Sequence, residues 1–231
     1  MTHSTQAQRL PQHPQAMALL RDPRLWTGRH RSRLQTVASG HAELDLSLPG
    51  GGWPVGTLTE ILHGEHGIGE MQLLLPALAR LSRSKHIAMI APPFVVNAPA
   101  LSSVGAQLSR ITVLPQVNDS ERNWAAEQCL RSGAYAAVLI WAEQMPDREL
   151  RRLQLACEQG RALGFMFRNS SYAQQPSAAG LRLQLGPQGQ IDILKSRGGR
   201  PQRLWWQRAR TNTRHAVDLP VPAPLAAGCP A

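Results

Sequence analysis

Acidic residues are scarce in this chain: 15 Asp and Glu stand against 25 Lys and Arg, for a formal net charge of +10 over 231 residues. Such a balance favours nucleic acid or an acidic protein surface as a partner and says nothing about fold. Cysteine is equally sparse. Cys129, Cys157 and Cys229 are odd in number and far apart, which excludes a disulfide framework and a zinc spacing and suits a reducing compartment. No apolar run approaches the length of a membrane span, and the polar start Met1-Thr2-His3-Ser4-Thr5-Gln6 is not a signal peptide, so a soluble, cytoplasmic protein is expected. Periods of 20 to 50 residues are absent, which excludes a repeat architecture. There is no Ser/His/Asp or Cys/His arrangement for nucleophilic catalysis, and Cys157 reads as a small core residue on a buried helix face. What remains is a globular composition, 42% hydrophobic and 17% charged, in a length that fits one domain plus tails.

The organising stretch runs from Gly50 to Met71. It reads as a glycine turn, a strand Thr57 to Leu62, a second glycine-rich loop, and a helix with Met71, Leu74, Leu75, Leu78 and Leu81 at one-face spacing. Strand, glycine loop, helix is the layout in which bare backbone N–H groups at a helix N-terminus hold phosphates. The spacing Gly64-x-x-x-x-Gly69 fits, with Gly67 inside it, but the next two positions require Lys and Ser or Thr. Here they are Glu70 and Met71. A carboxylate about 4 Å from a phosphate charge meets repulsion of roughly 4 kcal/mol at an effective dielectric near 20. The same carboxylate complements an empty helix N-terminus. The loop is therefore expected to keep its shape without its ligand and to serve as a degenerate phosphate loop. Although His63, Glu65, His66 and Glu70 are neighbours, no distant ligand pair accompanies them, and no metal site or cofactor is expected.

Residues 1–35 are read as a flexible N-terminal segment with a short docking helix, 36–199 as the core domain, and 200–231 as a tail. The tail is basic and Trp-containing at first, then Pro- and Ala-rich. Within the core, a helical turn around 39–48 precedes the glycine run, and the helix from about Glu70 to Ser84 either starts late or kinks at Pro76. Strands follow at 86–91, 111–114, 136–141 and 163–168. Helices are expected at about 98–108, at a segment capped by Ser120 and ended at Ser132-Gly133, and from Pro146 to Gln159 with Gly160 past its end. Leu181–Leu185 and Gln190–Lys195 alternate as a hairpin. The fold class is α/β: a mostly parallel sheet flanked by helices, with a C-terminal antiparallel hairpin.

Beyond the hairpin the residues Lys195, Arg197, Arg200, Arg203, Arg208, Trp205 and Trp206 form a segment with no acidic residue before Asp218. Arg and Trp there suit single-stranded DNA. They equally suit the hot spot of a partner protein, or one Trp packs on the core and the Arg residues are solvated.

Gly40 to Leu62 resembles the segment leading into the phosphate loop of RecA recombinases, and the likeness continues through Arg131-Ser132-Gly133-Ala134, Gly164 to Arg168 and Ile191 to Arg197. It implies a RecA-like fold in which Lys195 and Arg197 match residues that sense nucleotide across a subunit interface, so a homo-oligomer is conceivable. The central part, Glu70 to Arg168, also resembles the cell-division inhibitor SulA. Pro49 to Pro54, Gly67-Ile68-Gly69-Glu70 and Ile193-Leu194-Lys195-x-Arg197-Gly198-Gly199 together resemble the ImuA family. That likeness implies a non-catalytic accessory protein of damage-induced translesion synthesis, partnered with the polymerase homologue ImuB and with RecA or single-stranded DNA. Two other implications stand beside it: a SulA-like inhibitor binding FtsZ, and a DNA-stimulated ATPase with a divergent loop. Against the ATPase, Trp141 stands where RecA has a magnesium-linked Asp, and Ala91-Pro92-Pro93 where it has a water-activating Glu.

Overall fold

The computed structural model describes residues 34–207 apart from 68, 116 and 117. In chain order its elements are β1 (Thr36–Val37), α1 (Ala42–Ser47), β2 (Trp53–Pro54), β3 (Thr57–His63), α2 (Glu70–Leu81), β4 (His86–Ile90) and α3 (Ala98–Ser103). They continue with β5 (Ile111–Leu114), α4 (Asp119–Arg131), β6 (Tyr135–Trp141), α5 (Asp147–Gly160), β7 (Leu163–Asn169), β8 (Leu181–Leu185), β9 (Gln190–Ser196) and β10 (Gln202–Trp205). The short pair β1–β2 is antiparallel; the remaining eight strands form one sheet in the order β10-β9-β8-β3-β7-β6-β4-β5. Pairing is parallel from β8 to β5 and antiparallel from β8 to β10.

The apolar runs become central strands because both of their faces are covered. Every residue of β3 is buried. On one face Leu44, Leu73, Leu74 and Leu78 pack on Ile61, Met89 and Phe165. On the other, Leu130, Leu150, Leu153 and Cys157 pack on Leu58, Val138 and Ile140. No helix among the described residues is long and apolar enough to cross a membrane.

Three local expectations are corrected by packing. Asn118, not Ser120, caps α4: its side chain accepts the Glu121 N–H at 3.0 Å, which satisfies an orphan donor of the first turn. Gly160 is the last residue of α5 rather than a residue past its end. A Cβ there would fall 1.9 Å from the Leu130 carbonyl oxygen, so this glycine serves the close approach of α5 to the end of α4. The left-handed C-cap passes to Arg161, at φ 52. Finally, α2 starts at Glu70 and runs on through Pro76.

The folded unit also extends past residue 199. Gln202–Trp205 pairs with β9, and the Trp206 N–H donates to the Gly189 carbonyl at 2.7 Å. Its indole Nε1–H donates to His41 Nδ1 at 3.0 Å. Indole has only a donor, so His41 Nδ1 must be the acceptor and Nε2 carries the proton, 3.1 Å from the Leu73 carbonyl. The neutral imidazole thus ties α1, α2 and the strand end together. The expected docking helix and the Pro/Ala-rich end lie outside the described residues.

Burial, outweighing the neighbouring carbonyl and carboxylates, lowers the pKa of His41 from the ordinary 6.5. A folded value below the unfolded one means that unfolding takes up a proton as pH falls through this window. The stability contributed is fully present above 6.5 and is lost on acidification through the folded value. We expect melting temperature to fall between pH 7.5 and 5.5, and to fall less in His41→Gln; an unchanged slope in that variant would refute the assignment.

Candidate functional site

The glycine loop sits where β3 ends and α2 begins, at the carboxyl ends of the parallel strands, the usual ligand edge of an open α/β sheet. Gly67 and Gly69 adopt φ 81 and 106, a region that side chains avoid, so the turn requires glycine at both. The anion held by this turn is its own: Glu70 Oε1 accepts the Gly67 N–H at 2.8 Å, and Glu70 is 6% exposed. Its Oε2 is buried and finds no partner among the described residues. Gly64 is exposed at the loop's start, and Met71 packs against the apolar core instead of offering a hydroxyl to a metal.

Around this loop lies a cavity of about 510 Å³, bordered by side chains from the ends of β3, β4, β6 and β7 and the start of α4. Trp141 stacks on Phe167 with ring centroids 4.7 Å apart. His63 lies 4.7 Å from His66, and His66 meets the exposed Phe94 edge-on at 5.9 Å. Burial lowers the His63 pKa, with the Glu70 carboxylate and a backbone hydrogen bond at Glu65 acting in the opposite sense. At the ends of β6 and β4, Trp141 and Ala91-Pro92-Pro93 present no carboxylate. Among the described residues no group of three or more His, Cys, Asp or Glu is placed to hold a metal ion.

The basic candidates are not brought to this cavity. Ser196 pairs with Leu181, which in turn pairs with Thr59, so Lys195 and Arg197 stand toward the opposite, amino-terminal end of β3. Lys195 Nζ donates to the Ser177 carbonyl at 2.8 Å, and burial, with Arg182 nearby, lowers its pKa. Arg197 is 3.5 Å from Glu158. Arg200 is exposed in the turn between β9 and β10. Arg203 makes two bonds to Asp192, at 2.5 and 3.1 Å, and holds that carboxyl below its usual range. Trp205 faces solvent while Trp206 is buried, and Arg208 lies outside the described residues.

Two features are not legible in the sequence pattern. Glu60, fully buried within β3, bonds Arg168 at 2.9 Å and Arg182 at 2.5 Å. The signal was a lone carboxylate in an apolar strand, but its partners are 108 and 122 residues away. The second is the exposure of large apolar side chains between the end of β4 and β5: Phe94 and Val95 are 69% and 93% exposed, and Val104, Leu108 and Val113 are also exposed.

A family model described as cell division inhibitor SulA matches residues 56–164. The cell division inhibitor SulA of Serratia proteamaculans (strain 568) is 30% identical over 114 residues, covering 49% of this chain and 68% of its own length. That of Yersinia pestis (strain Pestoides F) is 31% identical over the same extents. Among solved structures, SulA from Pseudomonas aeruginosa is 24% identical with a TM-score of 0.41, over 48% of this chain and 97% of that chain.

Proposed function

Because this chain belongs to the SulA family, we propose that it is a cell-division inhibitor that acts by binding FtsZ, without catalysis of its own. The family match overturns the translesion reading, and with it ImuB, RecA and DNA as the expected partners and DNA repair as the setting. That reading leaned on Pro49 to Pro54, Gly67 to Glu70 and Ile193 to Gly199, of which only the second lies inside residues 56–164. Moreover, Arg203 is held in a sheet-edge strand, where it is already paired with Asp192.

One observation carries the non-catalytic form of the proposal: the Glu70 carboxylate occupies the amide that a phosphate would need. A RecA-like frame agrees with this reading, since the strand feeding the glycine loop lies inside the parallel sheet and the chain closes with antiparallel strands at one edge. The docking surface belongs in the segment shared with the family. Within it, Phe94, Val95, Val104, Leu108 and Val113 are exposed large apolar side chains of the segment that runs from the end of β4 through β5. Phe94 and Val95, adjacent in the chain and both largely exposed, are its strongest candidates for an interaction site.

Sedimentation of FtsZ with GTP tests the proposal. Adding the full chain in stoichiometric amount is expected to remove most pelletable polymer. Full polymer yield with the chain in fivefold excess would refute it. The same chain should release no phosphate from ATP, with or without single-stranded DNA; turnover abolished by substitutions in the 64–71 loop would return the ATPase reading.

A further inference from the structure

The sheet edge at β10 lies outside residues 56–164 and takes no part in the proposed inhibition. Hydrogen bonding alternates along an antiparallel strand, so a single bond fixes which residues turn inward. The Trp206 N–H donates to the Gly189 carbonyl at 2.7 Å, and the Gly186 N–H donates to the Gln190 carbonyl at 2.9 Å, which turns the backbone of Gln190 toward β8. In the register of β10 on β9, Leu204 therefore exchanges its bonds with Ile191, while Arg203 and Trp205 aim their N–H and C=O groups away from the sheet. Pro201, at the same phase, has no N–H to offer.

The side chains of Arg203 and Trp205 share one face of the strand. Leu204 and Trp206, which alternate with them, are buried in the apolar core on the other. The Arg203 side chain is 61% exposed beside Asp192, and Trp205 is 59% exposed. A guanidinium and an open indole two residues apart on one edge complement the same pair read in the opposite direction. Antiparallel pairing of two copies about an axis at Leu204 sets Arg203 opposite the partner's Trp205, and Trp205 opposite the partner's Arg203. Both outward residues then exchange both backbone bonds, and each guanidinium meets an indole.

Neighbouring registers fail. An axis at Arg203 sets guanidinium against guanidinium and leaves Trp205 facing a proline that cannot donate. Moving it to Trp205 carries Arg203 past the end of the partner strand, and placing it between residues sets outward backbone against inward.

We propose that β10 docks a second copy of this chain, joining two sheets edge to edge in an isologous dimer through two Arg203–Trp205 pairs. The contact is separate from FtsZ binding, so either proposal can fail alone.

Sedimentation equilibrium of the full chain tests this at about 0.15 M salt, which screens its net charge of +10. A monomer–dimer equilibrium is expected, the heavier species at twice 25.3 kDa. Half-association should fall on the order of tens of micromolar, since only a short strand pairs. Trp205→Arg sets like charges opposite one another twice and should weaken the dimer by about tenfold or more. Trp205→Glu offers Arg203 an opposite charge and should stay within about threefold of the native chain. Both variants lose the same ring, so a contact without register would weaken them equally. That equality would overturn the proposal, as would a monomer persisting to several hundred micromolar. Growth beyond the dimer would overturn it too, since β10 would then sit on a different edge of the next copy. The native chain's mass decides even where a variant fails to fold.

Discussion

Glu60→Ala is expected to destabilise the protein by about 3–5 kcal/mol, the cost of leaving buried charge without its counter-ion. For a chain of 231 residues this corresponds to a fall in melting temperature of roughly 6–20 °C. Glu60 lies fully buried on β3, with Arg182 directly opposite on β8. Arg168 stands on β7 opposite Leu62, two residues along. The carboxylate therefore clamps three adjacent strands around the strand that feeds the glycine loop. Removing it strands two guanidiniums that are 4% and 6% exposed. Replacing all three with apolar residues of like volume should restore most of the loss, since a buried ion triad is weak in net stability but severe when broken. Thermal melts of the single and triple variants decide the matter, and a single-variant loss below about 1 kcal/mol would show the triad to be solvated.

Substituting Phe94→Asp together with Val95→Asp should strongly weaken inhibition of FtsZ polymerisation while leaving the melting temperature unchanged. Val95 is 93% exposed, and Phe94, 69% exposed, meets His66 edge-on. An aromatic anchor at the centre of an interface contributes about 2 kcal/mol or more, and burying two carboxylates in its place adds a desolvation cost. At least about thirtyfold more variant should be needed for half-maximal loss of polymer. Unchanged potency would move the docking surface elsewhere in the matched segment, and a lowered melting temperature would mean that these side chains serve the fold.

Much of the architecture was readable because burial leaves a pattern. Strands such as Ala136–Trp141 are apolar on both faces, which only a covered parallel strand sustains, and the structure places this run in β6 between β7 and β4. Glycine punctuation marked the turn at 67–69 because positive φ excludes other residues. The same rule misled at Gly160, where glycine answers to the closeness of the Leu130 carbonyl rather than to the helix end. The segment after residue 199 was read as tail because its composition is basic. Its strand is held by Gly189 and by His41, the latter 165 residues earlier, and no local pattern announces such partners.

By itself the sequence determined that this protein is an α/β chain whose glycine loop carries Glu70 where phosphate binding would need lysine, because spacing and side-chain charge are local properties. Only the tertiary structure decided that the glutamate closes on the Gly67 amide, that Glu60 gathers two distant arginines, and that Phe94 and Val95 remain uncovered. Those are questions of which groups meet across strands and which surfaces find no cover, and folding settles them through contacts between residues far apart in the chain.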